Sequence, residues 1–228
     1  MKGFDPVIFD LDGTVVDTVE LIRASFRHAS RVVLGRQLPD DVLLAGVGQP
    51  LMRQMQALDA ARAQALYDTY REYNHRVHDE MIARYDGIEE ALGRLKAAQR
   101  LLAIVTSKSA ETTAMAFRAV GLREYFDAVV TASDTDAHKP SPEPIVLALE
   151  RLGATPERAV YVGDAPVDIA AGKAAGVTTV AVLWGAFSPA ALAAAAPDFT
   201  VATPVALADL CLGGASPSGS ASPSGGAS

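Results

Sequence analysis

The sequence predicts an α/β fold: a Rossmann-like, doubly wound parallel sheet with an α-helical cap domain inserted after its first strand. Short apolar runs rich in β-branched residues alternate with segments of helical length, which is typical of a parallel sheet covered on both faces. The connection that follows the first run, residues 11–100, is mostly helical in pattern. It is far longer than a single crossover helix requires. We therefore predict that a separate helical unit is inserted there.

The predicted strands of the core share an apolar, β-rich composition and are residues 6–10, 101–106, 127–133, 158–164, 178–184 and 199–203. The predicted helices of the core are residues 88–99, 110–120, 142–152 and 167–175, with a short surface helix in "SPAALAAAAPD". The helical patterns of the inserted segment cover residues 16–34, 49–57 and 59–84. We assign residues 1–16 and 85–212 to the core, residues 17–84 to the cap, and the Gly/Ser/Pro/Ala-rich residues 213–228 to a disordered tail.

Composition narrows the function and the compartment. Half of the 228 residues are hydrophobic and the net charge is −7, which argues against nucleic acid as the main partner. The single cysteine, Cys211, excludes an internal disulfide framework and suits a reducing compartment. We expect no signal peptide, because the opening stretch "MKGFDPVIFDLDGT" turns acidic before an apolar region develops. No apolar run approaches the ~20 residues of a membrane span. We expect a cytoplasmic protein, monomer or homodimer, that acts on a small molecule and has no membrane partner.

Residues able to perform chemistry follow the predicted strands at their C-terminal ends. They are Asp10, Asp12, Thr106, Ser107, Lys108, Lys139, Asp164 and Asp168. These strand ends meet at one edge of a parallel sheet, so the side chains should converge. Clustered carboxylates repel one another unless a cation is present, and ligation by oxygen alone favours Mg²⁺. A carboxylate nucleophile, a metal, a lysine and a hydroxyl are what phosphoryl transfer requires.

Several of these residues also have plain structural interpretations. Lys108 has the features of a surface lysine, and Asp134 and Asp136 those of solvated loop carboxylates. Asp168 can serve as an acidic residue in the first turn of a helix. Ser141 can cap a helix that begins at Pro142. The four ordered clusters together nevertheless favour a catalytic site.

The clusters resemble the four motifs of the haloacid dehalogenase (HAD) superfamily of phosphotransferases. They read "DLDGTVVDT", "IVTSK", "HKPSPEP" and "VGDAPVDIAAG", and the similarity covers roughly residues 5–203. The chain looks most like the phosphoglycolate phosphatase branch, which carries a helical C1-type cap. Two cap stretches, "GVGQPLM" (46–52) and "TYREYNHRVHDEM" (69–81), are similar to bacterial HAD-type inorganic pyrophosphatases.

The resemblance implies a role for each motif residue. Asp10 would be the nucleophile that forms an aspartyl-phosphate. Asp12 would protonate the leaving oxygen and then activate water. An aspartate at this second position favours phosphate ester or anhydride chemistry over dehalogenation.

The same resemblance implies the metal and phosphate ligands. Mg²⁺ would be held by the Asp10 carboxylate, the Asp12 backbone carbonyl and Asp164, with Asp168 behind them. The transferring phosphoryl group would be held by Thr106 and Lys139 and by backbone N–H groups around Leu11 and Ser107.

The sequence identifies the cap residues that could determine substrate specificity less clearly than it identifies the motif residues. The loop that follows Gly46 offers Gln49 and Arg53 as substrate contacts. Arg71, Asn74 and His78 are spaced i, i+3 and i+7, so they share one helix face. That face either binds a second anionic group or faces solvent, and both interpretations stay open here. His28 and His75 are expected to face solvent.

Two enzyme hypotheses and one non-enzyme hypothesis follow. The first is a Mg²⁺-dependent phosphohydrolase acting on pyrophosphate or 2-phosphoglycolate. The second is a phosphosugar mutase similar to β-phosphoglucomutase, although Gln49 occupies the place where the mutase loop carries an arginine. The third is a phospho-receiver module, which requires an aspartate at the third strand that this sequence does not provide.

Overall fold

The computed structural model describes residues 3–214, and its centre is a six-stranded parallel sheet. The sheet strands and a separate strand pair are β1 Val7–Phe9, β2 Val16–Asp17, β3 Ala83–Arg84, β4 Leu102–Val105, β5 Ala128–Val130, β6 Val160–Gly163, β7 Thr178–Val182 and β8 Phe199–Val201. The sheet order is β5-β4-β1-β6-β7-β8. Connections from β1 and β6 therefore run in opposite directions, which places the topological switch point between them. The predicted α/β fold class is confirmed.

The α-helices within residues 3–214 are α1 Val19–Leu34, α2 Asp40–Leu44, α3 Leu51–Leu58, α4 Ala63–Met81, α5 Ile88–Ala97, α6 Ala110–Val120, α7 Glu143–Leu152, α8 Pro166–Ala174, α9 Pro189–Ala194 and α10 Pro204–Cys211. The first helix starts three residues later than predicted, because Val16 and Asp17 pair with β3. The long cap helix starts at Ala63, because the Asp59 side chain accepts a hydrogen bond from the Arg62 amide and fixes a 3₁₀ turn before it.

Alternating side chains of the sheet supply both layers of the core. In β1, Val7 and Phe9 pack into one apolar cluster and Ile8 into the other, and all three are fully buried. Such strands have no solvent face, which is why they read as continuous apolar runs.

Helices α1 to α4 form a layer with an apolar cluster of its own. Phe26 of α1 meets Tyr70 of α4 edge to face, with ring centroids 4.9 Å apart. Leu43, Met55 and Leu66 complete the buried part of this cluster. The inserted helices therefore bury apolar surface among themselves instead of relying on the sheet.

Strands β2 and β3 join antiparallel at the two points where the chain passes between the sheet and these helices. The division at residues 17 and 84 stays a prediction, and both residues lie in this pair. Of the predicted tail, residues 215–228 lie outside the described residues. Within residues 3–214, no helix is both long enough and apolar enough to cross a lipid bilayer.

Candidate active site

Asp10 lies at the end of β1, at the switch point of the sheet. Its amide donates to Val162 O over 2.8 Å, which extends the ladder with β6 by one residue and fixes the backbone of Asp10. Its carboxylate is buried and lies 2.9 Å from Lys139 Nζ. Lys139, which precedes α7, is only 1% exposed. Asp10 and Lys139, which lie far apart in the sequence, thus form a buried ion pair.

Asp168 holds Lys139 from the other side. Its Oδ1 accepts from Lys139 Nζ over 2.6 Å and from the Tyr161 hydroxyl over 3.4 Å. Its Oδ2 accepts from the Ala165 amide over 3.0 Å at the start of α8. Asp168 therefore completes the first turn of α8, as one interpretation of the sequence has it, and it also holds the site lysine. Its place behind a metal ion stays a prediction.

Asp164 directly follows β6, and its carboxylate lies close to that of Asp10 across the switch point. Its Oδ2 accepts from the Ala186 amide over 2.7 Å, and its Oδ1 accepts from the Thr14 hydroxyl over 3.3 Å. Gly13, at φ +78°, packs so closely against this carboxylate that a Cβ there would overlap it. A glycine is thus needed at this turn for conformation and for space.

The buried carboxylates of Asp10, Asp164 and Asp168 each place one oxygen within 4.8 Å of the others. Burial, followed by the charge of Asp168, raises the pKa of Asp164 to about 7. Burial also raises the pKa of Asp10, and Lys139 only partly offsets this. For Lys139, burial acts to lower the pKa, but Asp10 and Asp168 raise it well above its ordinary value. An all-oxygen set with excess negative charge fits a hard divalent cation.

The segment after β4 carries three polar residues in succession. Thr106 is buried, and its amide continues the ladder by donating to Val130 O over 2.9 Å. The Ser107 hydroxyl donates to Gly48 O over 2.6 Å. Lys108 differs from the surface lysine expected, because its side chain is 14% exposed and its Nζ lies 2.6 Å from Asp12 Oδ1.

Asp12 is held by a second contact that the sequence did not reveal. The buried Thr18, which precedes α1, donates its hydroxyl to Asp12 Oδ1 over 2.7 Å. Both contacts of Asp12 fall on Oδ1, and Oδ2 has no hydrogen-bond partner among the described residues. Thr18 lies within the quoted "DLDGTVVDT" motif, and its spacing from Asp12 was the available signal.

A cavity of about 240 Å³ opens between the strand ends and the inserted helices. Sequence-predicted site residues that line it are Asp10, Asp12, Thr106, Ser107, Lys139, Asp164, Arg71 and Asn74. The volume is smaller than the roughly 300–1,000 Å³ of sites for drug-sized ligands. The cavity therefore suits a small metabolite.

A sequence profile described as "Haloacid dehalogenase-like hydrolase" matches residues 7–182. The chain belongs to this family. It is 39% identical to Pyrophosphatase PpaX of Bacillus velezensis over 198 residues, which cover 87% of this chain and 92% of the relative. Pyrophosphatase PpaX of Bacillus cereus strain AH820 is 39% identical over 193 residues, which cover 85% and 89%.

Solved structures of the family agree with the fold. A haloacid dehalogenase-like hydrolase of Bacteroides fragilis superposes with a TM-score of 0.81 at 25% identity, covering 88% of this chain and 97% of that one. A Lactobacillus plantarum protein described as a candidate phosphoglycolate phosphatase gives 0.82 at 23% identity, covering 92% and 100%. The predicted membership of the HAD superfamily is confirmed, and the chain is an enzyme, a phosphatase of this family.

The cap residues of this hydrolase are placed differently from one another. Arg71 and Asn74 line the cavity, and Asn74 Nδ2 donates to Ser25 Oγ over 3.1 Å. His78 is 1% exposed but is not among the lining residues, and its Nδ1 lies 2.7 Å from Asp79 Oδ1. The expectation that His75 faces solvent is wrong, because His75 lines the cavity and its Nε2 is buried. The phase of the helix could not be deduced from its largely polar sequence.

The loop before α3 reaches the core through a residue other than those predicted. Gln49 and Arg53 lie outside the cavity lining, and Arg53 is exposed. Gly48 makes the contact, through its carbonyl to Ser107, and a Cβ there would lie 2.7 Å from Val167 Cγ2. Leu11 is fully buried, so only its backbone could serve the site.

Proposed function

We propose that this enzyme is a Mg²⁺-dependent phosphohydrolase that works through an aspartyl-phosphate on Asp10. The observation that carries the proposal is the buried group at the switch point. Asp10 is paired with Lys139 over 2.9 Å and gathered with Asp164 and Asp168. A nucleophilic carboxylate beside a fixed positive charge and a set of metal-binding oxygens is suited to phosphoryl transfer.

In this mechanism an oxygen of Asp10 attacks phosphorus while Lys139 and Thr106 bind the oxygens of the transferring group. Asp12 protonates the leaving oxygen and later takes a proton from the attacking water. Thr18 and Lys108 hold Asp12 in place for both steps. Asp10, Asp164 and the Asp12 carbonyl would hold Mg²⁺, with Asp168 behind them. The bound ion supplies positive charge that lowers repulsion between the phosphoryl oxygens and the carboxylates.

Pyrophosphate is the substrate that we propose. The relatives that are 39% identical over most of this chain are named pyrophosphatases. The cavity is small, and Arg71 and Lys108 line it in addition to Lys139. A mutase reaction has less support, because Gln49 and Arg53, the loop positions considered for a second phosphate, lie outside the lining.

The test is phosphate release by the purified protein with Mg²⁺, comparing pyrophosphate with 2-phosphoglycolate at equal concentration. We expect pyrophosphate to be favoured at least tenfold in kcat/KM, which corresponds to about 1.4 kcal/mol of discrimination. A chelator should abolish release. Preference for 2-phosphoglycolate would overturn the proposal that pyrophosphate is the substrate. Phosphate release without metal would overturn the proposed mechanism. Whether the enzyme is a monomer or a homodimer stays a prediction.

A further inference from the structure

Three cationic side chains line the cavity within the described part of the chain: Lys139, Lys108 and Arg71. Lys139 forms ion pairs with Asp10 and Asp168, and in the proposed mechanism it lies beside the phosphorus that Asp10 attacks. Arg71 pairs with Glu111 over 2.6 Å, and both side chains are substantially exposed. Lys108 is more buried than Arg71 and contacts Asp12. It is therefore the cation placed on the leaving-group side of the site.

The backbone of Lys108 is fixed at both of its polar groups. Its amide donates to Thr106 Oγ1 over 3.2 Å, and its carbonyl accepts from the Ala132 amide over 2.8 Å. Only the side chain is left to adjust when a ligand enters. Asp12 must lie within hydrogen-bond reach of the leaving oxygen, and the Lys108 ammonium lies 2.6 Å from Asp12 Oδ1. The ammonium is therefore close to the position of the leaving group.

We propose that Lys108 binds the leaving phosphate and thereby makes the enzyme selective for substrates whose leaving group is itself anionic. This inference rests on the proposed function. As the bond from Asp10 to phosphorus forms, the bridging P–O bond breaks and its electron pair goes to the leaving phosphate. Negative charge on that group increases, so a nearby ammonium stabilises the transition state more than the bound substrate. An alcohol leaving group becomes neutral once Asp12 protonates its oxygen, so it offers Lys108 no remaining anionic oxygens to bind.

The alternative is that Lys108 acts only by orienting Asp12. The two roles predict different responses to the leaving group. A residue that only orients Asp12 affects every substrate whose leaving oxygen needs a proton. A residue that binds the leaving phosphate affects pyrophosphate far more than a phosphate ester of an alcohol.

The experiment compares kcat/KM for pyrophosphate and for glycerol 2-phosphate, with Mg²⁺, in the wild type and in Lys108→Met, Lys108→Arg and Lys96→Met. Lys96 is a matched control, because it pairs with Asp127 away from the cavity. We expect Lys108→Met to lose about 10²-fold on pyrophosphate and less than about tenfold on the ester, the scale of one charge-assisted contact. Lys108→Arg should keep the substrate preference, and Lys96→Met should change neither rate.

Binding separates the two roles without turnover. Titration calorimetry with methylenediphosphonate, a pyrophosphate analogue that cannot be hydrolysed at its bridge, should show affinity about tenfold weaker in Lys108→Met than in the wild type. A purely orienting role would leave this affinity unchanged. Equal losses on both substrates, or unchanged analogue binding in a folded variant, would overturn the inference. A wild type that releases no phosphate from pyrophosphate would instead overturn the proposed function, and the inference with it.

Discussion

The floor and the cap-side wall of the cavity hold their charges in different ways. On the floor, Lys139 and Asp168 are at most 1% exposed, and Lys139 contacts two carboxylates. On the wall, the Arg71–Glu111 pair joins α4 to α6 with side chains that are 34% and 62% exposed. Removing the partner of a buried charge costs much of the folding free energy, whereas an exposed ion pair contributes little to it. The difference indicates that the floor, where the reaction would occur, is preorganised, whereas the wall can adjust to the substrate.

The largest expected effect is at the nucleophile. Asp10→Asn should lower phosphate release by at least about 10⁴-fold, because an amide cannot replace the attacking carboxylate. The variant should stay folded, since Lys139 keeps its contact with Asp168. Steady-state kinetics and thermal unfolding measure the two claims, and substantial activity in folded Asp10→Asn would remove Asp10 from this role.

The next effect tests how strongly the floor depends on its lysine. Lys139→Met should lower the free energy of unfolding by about 3–5 kcal/mol in metal-free buffer, because Asp10 and Asp168 lose their buried partner. Mg²⁺ should recover part of the loss by supplying another cation near Asp10. Urea unfolding with and without Mg²⁺ measures this, and a loss below about 1 kcal/mol would contradict the contrast between floor and wall.

A smaller effect on turnover is expected at the second aspartate. Asp12→Ala should slow hydrolysis of pyrophosphate by about 10²–10⁴-fold, the usual contribution of general acid–base catalysis. Thr18→Val is a matched variant, because it removes one of the two contacts on Asp12 Oδ1 and keeps the carboxylate. Its loss should be clearly smaller. A near-wild-type rate in Asp12→Ala would mean that the protons follow another route.

The smallest effect is expected on the wall. Arg71→Met should change the free energy of unfolding by only about 0–1 kcal/mol, because its partner Glu111 is exposed. Glu111→Gln breaks the same pair and leaves the cavity residue in place. Denaturant unfolding of both variants measures the change, and a loss comparable to that of Lys139→Met would refute the distinction between the two regions.

The sequence was most informative where chemistry follows a buried strand. Asp10, Thr106 and Asp164 could be placed together because parallel strands present their C-terminal ends at one edge. The strand pair Val16–Asp17 and Ala83–Arg84 could not be predicted, since two-residue strands show no periodicity. The cavity-facing position of His75 depends on how α4 packs against α1, and its polar neighbours give no clear phase. Lys108 was misjudged because its partner, Asp12, lies far away in sequence.

The antiparallel pairing of β2 with β3 has a consequence for how this enzyme can change over time. It brings the two ends of the inserted helical segment side by side. The geometric demand that this segment makes on the sheet is therefore the same as that of a short hairpin loop. The entropy of closing a loop grows only slowly with its length, and the insertion of a folded unit is tolerated when its two ends lie close together. Selection for a new substrate can therefore lengthen, shorten or replace the helices above the cavity while Asp10 and α5 keep their places.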